Sequence, residues 1–210
     1  MRTQEMRRTI AKKISEEQRT HKGANGIRTW SRQNRLNLSE ADIAQTIQFA
    51  QQYIEHVPAI IEATEAAAMQ AGLLTEVRGF LQAAEHYWFE PNDVFPDQMG
   101  LLGLMDDAYV CLSVIHAMSS NLQARAGRPL ISLDLGPANA KARFAIGEPF
   151  ASQLDMIVMQ IMGGPMVQSV INALNQVADR IPTFNTPDPI WGNASVDEIV
   201  NVQLGAMGIF

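Results

Sequence analysis

A single cysteine, Cys111, in 210 residues excludes an internal disulfide, so no covalent cross-link within the chain supports the fold. That usage suits a reducing compartment. Aromatic residues are scarce as well, 7% of a chain that is 47% hydrophobic. Alanine and methionine fill the difference, which favours helices, because sheets draw on β-branched and aromatic side chains. No segment alternates apolar and polar residues as a half-buried strand does. The stretch MRTQEMRRTIAKKISEEQRT lacks the unbroken apolar core of a secretory leader, and Glu5, Glu16 and Glu17 interrupt it as organelle presequences avoid. The expectation is a cytoplasmic protein. Also missing are a phosphate-binding glycine loop, a dinucleotide glycine pattern, paired CxxC motifs, an HExxH helix and an EF-hand loop. Chemistry that depends on those devices has no visible seat.

What is present is an uneven charge distribution. The net charge is −6, yet residues 1–35 carry ten Lys and Arg against three Glu. The remainder carries six against nineteen acids. The chain therefore reads as a basic N-terminal arm and linker over residues 1–37, followed by a helical domain over 38–210. Such an arm could hold nucleic acid or an anionic membrane surface, making the protein peripheral to a membrane. The plainest use is to dock on its own acidic body or on a sister chain. Within the arm, Ile10 and Ile14 suggest a helix near residues 3–21, and HKGANGIRTWSRQNRLN reads as a linker with Trp30 as an anchor.

Helical signals continue through the body. Ser39 and Asp42 have capping spacing, Leu38 can staple to Ile43, and Ile43, Ile47, Ala50 and Ile54 form a stripe. Pro58 suggests the start of a separate helix ending at Gly72. Val77, Phe80, Leu81, Ala84, Tyr87 and Trp88 give the next buried face, closed by Pro91. A helix over about residues 105–122 places Tyr109, Leu112 and His116 along one side and Val110, Val114 and Ala117 along another. Gly136-Pro137 opens a short helix that stops at Gly147, Pro149 opens another, and Gly163-Gly164-Pro165 interrupts it. Val167, Val170, Ile171, Leu174, Val177 and Ile181 mark a further face, and Ser195 with Glu198 has capping-box spacing. The fold expected is all-α, an irregular multi-helix bundle.

Its most distinctive feature is the connection FEPNDVFPDQMGLLGLMDDAY at residues 89–109. Prolines stop helices, Asn92 and Asp93 suit turns, and Gly100 and Gly103 permit unusual backbone angles. Asp106 and Asp107 fall in the first turn of the next helix, where negative charge suits free amides and the macrodipole. Val94, Phe95, Met99, Leu101, Leu102 and Leu104 would plug the core, making a rigid αα-corner. The segment YWFEPNDVFPDQMGLLGLMDDAYV resembles the signature of the YkvA-like domain of unknown function. The structural motif is carried by Tyr87, Pro91, Asp93, Pro96, Asp97, Gly103, Asp106 and Asp107, over residues 80–118 only. The resemblance implies a small helical unit common in bacteria, sometimes within larger or membrane-embedded proteins, with no established activity. Gln98-Met99-Gly100 is more polar than the run usual after Pro-Asp in that family.

Asp93, Asp97, Asp106 and Asp107 could together hold Mg²⁺ or Ca²⁺ through hard oxygen ligands, with Glu85 and His86 nearby, as in a metal-dependent hydrolase. Caps and turns already give those carboxylates a sufficient reason, so no cofactor is expected. Ser113, His116 and Asp107 share one helix, which rarely supplies triad geometry, and Cys111 between Val110 and Leu112 reads as a core residue. Between Asp155 and Asp179 no residue is charged for 23 positions. That length could span a bilayer, but Gln160, Gln168, Asn172, Asn175 and Gln176 are costly in hydrocarbon and Gly-Gly-Pro breaks the helix, so no transmembrane span is expected. A buried hairpin or a methionine-rich interface fits better, with Met156, Met159, Met162 and Met166 as its contact residues. The function expected is therefore non-enzymatic: a helical module that binds another protein or itself.

Overall fold

Thr3, Met6, Ile10 and Glu17, spaced by three, four and seven residues, are all buried on one side of α1, Thr3–Thr20. In the computed structural model, residues 1–33, 35, 37–90, 94, 97–163 and 172–173 are described, excepting the side chains of Trp30, Asp97, Gln98, Met99 and Ala126. Among these residues, seven α-helices and one 3-10 helix order as α1, α2 (Lys22–Gln33), α3 (Glu40–Gln70), α4 (Leu74–Trp88), the 3-10 helix Asp97–Leu104, α5 (Met105–Ala126), α6 (Gly136–Ile146) and α7 (Phe150–Met162). No strand occurs among the described residues. The expected all-α fold is what the chain adopts.

The core forms around α5, which packs on α3, α4, α6, α7 and the 3-10 helix. Residues 105–112 of α5 are all buried, so this helix has no solvent face in its first two turns. The two-sided pattern read from its sequence is thus a helix surrounded on every side. The 3-10 helix and α5 are together long and apolar enough to cross a membrane, but 83% of their most apolar window is buried within the protein itself.

Two features differ from the sequence expectation. The segment read as a linker is helix α2, with Ile27 fully buried. Its glycines are tolerated because packing against α3 and the 3-10 helix outweighs their poor propensity. Pro58 does not open a new helix; it sits inside α3 and is itself buried. Its ring forfeits one hydrogen bond to the Ile54 carbonyl, and the neighbouring Val57, Ile60 and Ile61, each at most 5% exposed, hold the helix through it.

The helix ends follow the local code. Ser39 and Asp42 exchange both capping-box bonds, at 3.2 and 2.8 Å. At the other end of α3 the Gly72 amide donates to Met69 and the Leu73 amide to Ala68, at 3.2 and 2.8 Å. Gly72 has φ +72° and Leu73 is fully buried, which makes a Schellman motif. α4 stops as expected before Pro91, and α6 and α7 begin at Gly136 and after Pro149.

Candidate functional site

The connection before α5 is more than a turn. Its 3-10 helix is split at Gly100, whose φ of 67° and ψ of −126° only glycine adopts without strain. A methyl group there would lie 3.1 Å from a Glu17 carboxylate oxygen and 3.3 Å from Cβ of Lys22. The carboxylate, 5% exposed, accepts the Gly23 amide at 2.8 Å and the Ala24 amide at 3.1 Å. Glu17 thus caps α2 from the end of α1, and the corner closes over it. Leu101, Leu102 and Leu104 plug the core as expected.

Of the four sequence-predicted aspartates, Asp106 and Asp107 are those whose side chains are described. Asp106 and Asp107 are 0% and 1% exposed, and both take part in polar or electrostatic interactions. Asp93 lies outside the described residues, as do Pro91 and Pro96, and Asp97 is described in its backbone alone. Glu85 turns inward and accepts the Arg2 backbone N–H, so it caps the start of α1. His86 points outward and lies 3.5 Å from Glu90. Among the described residues no group of three His, Cys, Asp or Glu side chains is placed to hold a metal ion. Tyr87 is half-buried and Gly103 buried. Cys111 is buried with its thiol directed to the Ala84 carbonyl at 3.4 Å. Burial, reinforced by the Asp107 and Glu85 charges, pushes this thiol well above its ordinary value, the opposite of a reactive cysteine.

A network absent from the sequence reading ties α5 to α6 and α7. Tyr109 donates to Asp155 at 2.6 Å, and Arg143 donates to the other Asp155 oxygen at 2.9 Å. Arg143 also donates to Glu148 at 2.8 Å, and Glu148 accepts the Ser152 amide at 3.2 Å. Hydrogen bonding from Ser152, with Arg143 adding to it, lowers the Glu148 carboxyl below the usual range. No spacing rule links residues 109, 143 and 155, because three different helices supply them. His116, three residues from Ser113, instead lies 4.0 Å from Asp134, too far for a hydrogen bond.

Beyond this network α7 changes character. Ala151 and Leu154 are buried, whereas Ile157, Val158, Ile161 and Met162 are half-buried. Met156 and Met159 are 52% and 64% exposed, one turn apart on the outer face. Met166 lies outside the described residues, as does most of the apolar run after Gly163 and all of the capping box at Ser195. The carboxylate bordering the patch, Asp155, is turned toward Arg143 and Tyr109 rather than outward along it.

The basic arm is partly neutralised by the body. Arg7 pairs with Glu62 at 2.6 Å and Arg28 with Glu40 at 2.7 Å, both acids belonging to α3. Arg8, Lys12 and Arg19 are exposed. No protein-family model, curated protein or solved structure matches the chain. The YkvA-like resemblance therefore rests on the residues of the connection alone.

Proposed function

We propose that the protein works by self-association, a second copy of the chain covering the outer face of α7. One observation carries the reading: large apolar side chains one turn apart, Met156 and Met159, face solvent on a helix that bears no charge after Asp155. Flexible, polarisable methionines adapt to a facing apolar surface, which suits a helix–helix contact. Two-fold pairing would set this face against itself. A chain of net charge −6 must avoid apposing acids when it dimerises, and the inward turn of Asp155 removes the nearest one. Light scattering across a dilution from about 100 μM to about 1 μM covers the range where such contacts dissociate. The expected result is a dimer that dissociates on dilution, and a monomer throughout for Met159→Glu with unchanged helix content. A wild-type chain that stays monomeric across the series, or a dimer indifferent to Met159→Glu, overturns the reading.

A further inference from the structure

Helices α1, α2 and α3 line a groove of about 520 Å³, within the range of small-molecule sites. Its floor is apolar: Ile43 is buried, and Ile14 and Ile47 are only partly covered by the core they pack on. Above that floor stand Gln48, Gln51 and Gln52 of α3, whose carboxamides both donate and accept hydrogen bonds. The wall carries the carboxylates of Glu40 and Glu55 beside the Arg28 guanidinium and the His21 imidazole, and Glu17 also lines it, with its carboxylate turned to the α2 amides.

The charges are not equivalent. Arg28 is committed, donating to both oxygens of Glu40 at 2.7 to 3.1 Å and to Asn25 at 2.8 Å. It therefore cancels Glu40 and offers little to an incoming anion. Glu17 is buried and accepts two amides, about half of what a carboxylate can accept. Glu55 is exposed, with a single long contact of 3.4 Å from Gln51. Subtracting the Arg28–Glu40 pair leaves an apolar floor beside the exposed Glu55 carboxylate.

We infer that this groove binds a small amphipathic organic cation, an ammonium or guanidinium group on an apolar body. The apolar part covers Ile14, Ile43 and Ile47, and the cation faces Glu55. The inference is independent of the α7 reading, since no residue is shared.

The test compares three probes of one shape on the full chain by calorimetry and ligand-observed NMR: phenethylammonium, 2-phenylethanol and 3-phenylpropionate. The ammonium should bind about five- to tenfold more tightly than the alcohol, the worth of a partly solvated ion pair, and the carboxylate most weakly. Ala44→Phe, at an exposed groove position, should fill the site and abolish binding while the thermal melt is retained. Gln48→Trp serves as a second filling variant should the first fail to fold. Glu55→Gln should remove most of the ammonium's advantage over the alcohol. Equal binding of all three probes, no binding of the ammonium at millimolar concentration, or binding that survives both filling variants overturns the inference.

Discussion

Replacing Glu17 with alanine is the most searching perturbation of this fold. The change leaves the Gly23 and Ala24 amides, accepted at 2.8 and 3.1 Å in the native protein, without their acceptor. A buried donor left unsatisfied costs about 1–3 kcal/mol, and losing a carboxylate at a helix N-terminus adds about 0.3–2 kcal/mol. The lower half of that range applies if water enters the vacated space. Little room exists for it, because Gly23 and Gly100 lie against the carboxylate. We expect Glu17→Ala to destabilise by about 3–5 kcal/mol, a large part of the roughly 5–15 kcal/mol that holds most domains together. For a chain of this size that lowers Tm by about 8–15 °C. Urea unfolding followed by circular dichroism gives the free energy, and amide exchange at Gly23 and Ala24 locates it. Gln18→Ala, next in sequence but exposed, is the control and should change little. A loss below about 1 kcal/mol would mean that α2 does not depend on this cap, and the account of how the N-terminal helices are anchored would fall.

Two further outcomes follow from the geometry. Gly100→Ala should destabilise by at least about 1 kcal/mol more than Gly72→Ala, because both have positive φ but only the first would drive a methyl group against Glu17 and Lys22; equal losses in urea titrations would refute that ranking. Burial raises the phenols of both Tyr53 and Tyr109, and for Tyr109 the hydrogen bond to Asp155 adds to it. The folded state thus keeps protons that the unfolded chain releases near pH 10, so this contribution is complete below that pH and is lost as pH rises toward the folded values. Absorbance at 295 nm should show no phenolate from Tyr53 or Tyr109 until the chain unfolds cooperatively in alkali, whereas gradual ionisation of both with helix content intact would contradict their environment.

How far the residues alone foretold this arrangement can be seen element by element. The Ser39–Asp42 box, the Gly72 cap and the breaks at Gly136, Gly147 and Pro149 are local devices, set by side chains within four residues, and all were readable. Pro58 misled because its cost is also local, while the compensation comes from Val57, Ile60 and Ile61 packed on other helices. Segment 22–33 misled for the same reason: its glycines weaken the intrinsic signal, and its stability depends on a carboxylate six residues upstream and a bend near residue 100. Glu85, near the aspartates in sequence, accepts the backbone N–H of Arg2, a partner 83 residues away that no local pattern indicates.

Hydrophobic period, caps and breakers are properties of consecutive residues, so the all-helical class and the helix ends marked by a local cap or breaker were determined before any folding was considered. Which carboxylate faces a cation, an amide or the solvent was decided only when distant helices met. Burial and charge pairing are set by neighbours in space, and the chain by itself does not state who those neighbours are.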